Sequence, residues 1–329
     1  MIPIVDLHCD LLSFLAENSA HTVEQPESNA SYSQMKQGNV VLQTLAIFTD
    51  SSPSSFLSGK KQLESLKKIL LEKPNRYQLF DPSKNLIDSS NVISVIPAFE
   101  NASGFCSDDT SIDEALSYLE SILTTFGRIL YISLTWDGEN RFGGGNGTKS
   151  GLKDDGKIVL QWLHEKKIAI DLSHTSDFLA DDILNYLDKK SLKIPVIASH
   201  SNVRSITNKE RNLPDFLIQE IIARKGVIGL NFFAPFIGKE SKDLAKHVEH
   251  LLLLAGEDHL CFGADFFPDL LASYVQKKYQ SNICFFPELN NSSCYPTAIF
   301  LLQKQLNLKN DVLEKIAHKN FGRYASTHL

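Results

Sequence analysis

The feature that most constrains this chain is a rhythm of short apolar runs, each followed by a stretch with helical spacing. Eight runs rich in Val, Ile and Leu recur: Ile4–Leu7, Val40–Phe48, Val92–Ala98, Ile129–Leu134, Ile168–Leu172, Ile194–Ala198, Val227–Asn231 and Leu260–Gly263. Several are continuous rather than alternating, which is how parallel strands read when both faces are buried. Helical patterns separate them at Ser58–Glu72, Ile112–Leu123, Lys157–Glu165, Asp177–Leu187, Pro214–Arg224 and Lys242–Leu254. Pro214 suits the first helical position, where its missing N–H removes no bond. Eight strands alternating with helices predict a (β/α)8 barrel, a TIM barrel of α/β class; an open doubly wound sheet is the alternative. After the eighth run, Phe266–Tyr295 reads as a loop over the barrel mouth, and two helices follow at Thr297–Gln305 and Asp311–Lys319.

A chain of 329 residues suggests two domains by length alone, but barrels of this type exceed 200 residues as one unit. No linker, repeat or low-complexity block interrupts the rhythm, so residues 1–329 are expected to form one catalytic barrel domain with C-terminal helices. With 43% hydrophobic and 22% charged residues, the composition excludes a disordered chain. A net charge of -6 argues against nucleic acid as a partner. No apolar run reaches the 18 or so residues of a membrane helix, and the opening MIPIVDLHCD has no signal-peptide pattern. Five cysteines, Cys9, Cys106, Cys261, Cys284 and Cys294, lack framework spacing and fit reduced thiols in a cytoplasmic protein.

The chemistry concentrates at the ends of the strands. The first ends Asp6-Leu7-His8-Cys9-Asp10, and residues two apart share a strand face, so His8 and Asp10 point together into the barrel. Cys9 faces the other way and reads as packing. The third run leads to Glu100, the fifth to His174, the sixth to His200 and the eighth to Asp265. Five of eight strands thus deliver a His, Asp or Glu at the face where barrel enzymes place their sites, and imidazoles with carboxylates point to a metal site. His21, His164, His247, His250, His259, His318 and His328 lie on helices or in polar stretches and take a structural reading. The run Gly143–Gly147 lacks the context of a phosphate loop and reads as a flexible loop.

The ordered motifs DLHCD, AFEN, DLSHTS, ASHSN followed by RNLPD, and GADF resemble the membrane (renal) dipeptidase family, peptidase family M19, within the amidohydrolase-type barrels. The resemblance runs from about Asp6 to Tyr324 and is nearest to the microbial branch, through LTWDGEN at Leu134–Asn140 and GVIGLNFFAPF at Gly226–Phe236. It implies a zinc-dependent dipeptidase acting through a hydroxide bridging two ions, on dipeptides with a free C-terminal carboxylate. It further implies two zinc ions, His8 and Asp10 on one, His174 and His200 on the other, with Glu100 bridging. Arg211 is then the contact for the substrate carboxylate and Asp265 the acid–base group. The resemblance also implies a homodimer.

Two departures stand out. Mammalian members carry a histidine, thought to steady the carbonyl oxygen, where this chain has Trp136; a metal or Asn140 is the expected substitute, which puts Trp136 and Asn140 among the substrate-binding candidates. The family's DFDG is here Asp265-Phe266-Phe267-Pro268-Asp269. Alternatives are an amidohydrolase for another amide, such as a β-lactam or an N-acyl amino acid, and a barrel retained only for binding. Ligand type alone does not separate zinc from manganese or cobalt.

Overall fold

The computed structural model describes residues 1–84, 87 and 91–329. Each of the eight apolar runs contains a strand: β1 Ile4–Cys9, β2 Val40–Phe48, β4 Ile93–Glu100, β5 Tyr131–Ser133, β6 Ala169–Asp171, β7 Val196–Ile197, β8 Ile228–Leu230 and β9 Leu260–Phe262. A further strand, β3 at Tyr77–Leu79, pairs with the first half of β4. It is only three residues long and carries a polar Gln78, so no apolar run announces it.

All named pairings are parallel, in the order β7-β6-β5-β4-β2-β1-β9-β8. The two ends of this path meet: Ala198 bridges Ile228, and the Gly229 N–H donates to the Ala198 carbonyl at 2.8 Å. The sheet therefore closes on itself, and the eight-stranded barrel, not the open sheet, is what forms. In this ring β2 lies opposite β7, four strands away in either direction.

The expected helices form at Ser55–Glu72, Ile112–Phe126, Asp154–Lys166, Asp177–Lys190, Asp215–Ala223 and Leu244–Leu253. Local chemistry sets their starts. Ser111 accepts from the Glu114 N–H while Glu114 reaches back to Ser111, and Ser176 accepts from the Leu179 N–H. Pro214 sits one residue earlier than expected, as the extended residue before the helix.

The segment Phe266–Tyr295 is not the plain loop the sequence suggests. It contains a helix, Ala272–Tyr279, with short turns on either side. The signal was present in Leu271, Val275 and Tyr279, spaced four apart along one helical face. After Tyr295–Leu306, the chain turns through Asn310–Glu314 and a π turn at Lys315–Lys319 into a last helix, Asn320–His328. That helix sets Phe321 and Tyr324 against Val5, Leu7, Leu42 and Ile96 and fills one end of the barrel. The carboxyl ends of the strands form the other end. Among the described residues, no helix is long and apolar enough to cross a membrane.

Candidate metal centre

His8 lies in β1, Asp10 just after it, and Glu100 is the last residue of β4. His174, His200 and Asp265 each stand three residues past the end of their strand, β6, β7 and β9. The ladder between β1 and β2 slips in register between Asp6 and Cys9, and such a bulge re-aims a strand end. Cys9 packs into the apolar layer with Leu11 and Leu12.

Two of these residues, His174 (φ 67°) and Asp265 (φ 64°), hold left-handed backbone, as does Asn101 (φ 84°) beside Glu100. Non-glycine residues held so cost on the order of 1–3 kcal/mol each and persist where their surroundings fix them. The His174 carbonyl accepts from the Asn146 N–H at 2.8 Å, and the Asp265 N–H donates to the His8 carbonyl at 3.2 Å. The Asn101 amide donates to the carbonyls of Thr49 and Asp50 at 3.0 and 2.8 Å.

Hydrogen bonds set the tautomer of all three imidazoles. The Tyr131 hydroxyl gives its proton to the Leu7 carbonyl (3.2 Å) and so accepts from His8 Nδ1 (2.7 Å). The Ser199 hydroxyl gives its proton to Asp171 (2.7 Å) and so accepts from His200 Nδ1 (2.6 Å). Asp137 accepts from His174 Nδ1 at 2.8 Å. Each Nδ1 carries a hydrogen and each Nε2 is turned inward, the arrangement in which imidazoles ligate metals once Nε2 is free of its own proton.

The inward atoms converge on Glu100. Its Oε2 lies 3.1 Å from His8 Nε2, and its Oε1 lies 2.8 Å from His174 Nε2 and 3.6 Å from His200 Nε2. The Nε2 atoms of His174 and His200 are 3.0 Å apart. Two groups of potential ligands result, His8–Asp10–Glu100 and Glu100–His174–His200, with Glu100 common to both; Asp265 forms a third with His8 and His200. His8 Nε2, Asp10 Oδ1 and Glu100 Oε2 are buried and make no hydrogen bond among the described residues.

The electrostatics call for positive charge. Burial opposes charge on His8, yet Glu100, Asp10 and Asp265 raise its pKa to about 10. Burial and the nearby Glu100 push Asp10 well above the usual carboxylate range. Burial favours neutral Glu100 too, but the three imidazoles hold it well below its ordinary value. Burial, aided by His8 and Arg211, pushes His200 well below its own. Unpartnered carboxylate oxygens and inward imidazole nitrogens, clustered in a buried site, fit divalent cations, whose binding displaces the protons held there.

Around this centre, Asp10, Glu100, His174 and Asp265 open onto a cavity walled by Phe48, Trp136, Phe233, Phe236, Phe267, Leu271, Val275 and Tyr279. Phe48, Trp136, Leu271 and Val275 also line an outer chamber of about 590 Å³. A second cavity of about 780 Å³ lies away from the centre, between Leu15–Glu24 and the helix Ser55–Glu72, and none of the three ligand groups faces it.

Arg211 is 4% exposed and donates to the Ser201 hydroxyl (2.7 Å) and the His200 carbonyl (2.9 Å). Its Nε makes no hydrogen bond, and no carboxylate pairs with it among the described residues. Asn231 holds Asp265 Oδ2 at 2.9 Å.

Asn140 does not fill the role expected of it. Its amide hydrogens go to Asn101 Oδ1 (2.9 Å) and the Leu134 carbonyl (2.7 Å), and its oxygen accepts from Phe142 and Gly143. It ties the loop together and has no donor left for a carbonyl oxygen. The glycine run is likewise not loose. Gly143, Gly144 and Gly145 are buried, and bridges tie Gly144 to Glu139 and Gly145 to Thr175.

His247 accepts from the Val203 N–H and donates to the Ile237 carbonyl, and His250 pairs with Asp215, so the two do not form a metal pair. Sequence reasoning missed the groups that orient the three imidazoles and Asp265: Tyr131, Asp137, Ser199, Asn231 and the buried Asp171. Asp137 lies inside the LTWDGEN motif, which was its one available signal.

A family model described as membrane dipeptidase (peptidase family M19) matches residues 1–327. The chain is 24% identical over 326 residues to an uncharacterised dipeptidase of Schizosaccharomyces pombe, spanning 85% of this chain and 76% of that one. A metallopeptidase from Rhodobacter sphaeroides, solved with a phosphinate mimic of the dipeptide L-Ala-D-Ala, superposes with a TM-score of 0.78 at 20% identity, over 100% of this chain and 99% of that one. The probable dipeptidase PvdM from Pseudomonas aeruginosa superposes with a TM-score of 0.77 at 16% identity, over 98% and 94%. At such identities these structures speak for the barrel.

Proposed function

The chain belongs to the membrane dipeptidase family, peptidase family M19, and on that premise we propose that it is a metallo-dipeptidase cleaving dipeptides with a free C-terminal carboxylate. The whole barrel acts as the catalytic unit. Two divalent ions, zinc in first place, would be held by His8 and Asp10 and by His174 and His200, with Glu100 common to both sets. The observation that carries this reading is the Glu100 carboxylate, with one oxygen toward His8 and the other toward His174 and His200. When bound, such ions supply Lewis acidity toward water and toward the peptide carbonyl.

The chain's own groups do the rest. Arg211 is a buried cation with an unused N–H, and it grips the substrate carboxylate. Arg211 follows β7 and Phe48 ends β2, on opposite sides of the ring. A dipeptide held by its carboxylate at Arg211 therefore reaches across the centre toward Phe48, Trp136 and the outer chamber. Asp265, fixed through Oδ2 by Asn231, uses Oδ1 to take a proton from the attacking water and return it to the leaving amine. The aromatic wall excludes bulk water and strengthens these charges. The cytosol is the compartment we assign, on five cysteines that are all unpaired.

The test is a panel of dipeptides and dipeptide amides, with metal content measured on the same sample. Hydrolysis of free dipeptides by metal-loaded protein, lost on chelation and regained on adding zinc, is expected. Metal-loaded protein that leaves every free dipeptide intact while opening a β-lactam or an N-acyl amino acid would overturn the substrate assignment.

A further inference from the structure

The helix Ala272–Tyr279 lies across the barrel mouth with none of its residues fully buried. Val275 and Tyr279, with Leu271 just before the helix, wall the cavity. Its C-terminal end carries two polar residues that the reaction does not use. The Tyr279 hydroxyl donates to Asp137 Oδ2 at 2.8 Å. The Lys278 ammonium forms an ion pair with that same oxygen and stands 3.4 Å from the centroid of the Trp136 ring. The other oxygen of Asp137 accepts from His174 Nδ1. Of the helix's other polar side chains, Gln276 bonds within its own segment, to the Asn282 carbonyl.

The polar attachment of this helix thus converges on Asp137, the carboxylate that accepts directly from His174. A buried carboxylate with a single imidazole partner can rotate or draw in water; one held also by an ammonium and a phenol is fixed. We propose that Lys278 and Tyr279 are positioning residues, which set the direction of His174 Nε2 through Asp137 and, through Lys278, the tilt of the Trp136 wall. Seating the mouth helix and completing the ligand set are then one event. A substrate wall and a metal ligand share a single support, although 104 residues separate His174 from Lys278 in the sequence.

This inference rests on the metal reading above, and the experiment separates the two. Zinc affinity is measured by competition with a chelator for the parent, Lys278→Met, Tyr279→Phe and Lys278→Arg, together with melting temperature. Partners that orient ligating histidines usually change metal affinity 10- to 100-fold when removed. Lys278 and Tyr279 act one bond further out, so a loss of about 3- to 10-fold is expected for Lys278→Met and for Tyr279→Phe. Lys278→Arg, which keeps the charge over Trp136, should restore most of it. Melting temperature should hardly move for Tyr279→Phe, which keeps the ring on Phe233 and Phe236 and leaves Lys278 on Asp137. If the parent binds no zinc, the metal reading fails. If the parent binds zinc and Lys278→Met and Tyr279→Phe bind it as tightly or more tightly, the positioning role fails. Loss of affinity that follows loss of melting temperature, with no rescue by Lys278→Arg, also defeats it.

Discussion

Asn231 Nδ2 donates to Asp265 Oδ2 at 2.9 Å, and this leaves Asp265 Oδ1 facing His8 Nε2 at 3.6 Å. One oxygen is fixed and the other is turned to the centre, as a group that passes a proton requires. Asp265→Asn keeps the shape but cannot relay a proton at neutral pH. We expect kcat to fall by about 10² or more, the usual span of general acid–base catalysis, with metal content and fold retained. A near-normal kcat with the metals bound would remove Asp265 from the mechanism; loss of metal would make it a ligand, which its place beside His8 and His200 permits.

Arg211→Ala should weaken dipeptide turnover by about 1.5–3 kcal/mol in kcat/KM, the worth of hydrogen bonds to a charged group. Dipeptide amides, which lack the carboxylate, should lose little further. The ratio of acid to amide turnover is the measurement. An unchanged ratio in the variant would show that the carboxylate is bound elsewhere.

His247 predicts a pH effect on stability that is independent of the metal centre. Burial lowers its pKa to about 4, against an ordinary 6.5. The unfolded chain takes up this proton near pH 6.5 and the folded chain only near pH 4, so the contribution is complete above 6.5 and is lost on acidification toward 4. Its size is on the order of 3 kcal/mol. Denaturant titrations between those limits should show a slope that His247→Gln reduces by about one proton. Equal slopes for the two proteins would contradict the burial argument.

Gly263 tests how tightly the barrel holds a ligand from behind. A Cβ there would lie 1.9 Å from the Ser199 carbonyl oxygen and 3.1 Å from the Gly229 Cα. Backbone on both sides leaves nothing flexible to give way. Gly263→Ala should destabilise by about 1–3 kcal/mol, the usual range of overpacking. It should also weaken metal binding, because Ser199 fixes His200. A stable variant with parental metal affinity would show that the strand ends can move apart.

The barrel and the inward His, Asp and Glu side chains are legible in the sequence for one reason: buried parallel strands leave continuous apolar runs, and the residues at their ends fall at fixed offsets. His174, His200 and Asp265, each three residues past a strand, are legible on that ground. Asp137, Lys278 and Tyr279 are not. They meet only because the segment after β9 folds back over the loop after β5, and no periodicity links Asp137 to residues 141 and 142 positions further on. Asn140 shows the converse. Its type suits an oxyanion contact, but the local loop takes up every donor and acceptor it has.

Whether Glu100 serves two cations at once is tested by counting them. Elemental analysis of zinc-loaded, dialysed protein, done beside Glu100→Gln, is the measurement. Two ions per chain are expected in the parent, and fewer than two with activity largely lost in the variant. At most one ion in fully loaded parent, or two ions and full activity in Glu100→Gln, would contradict it.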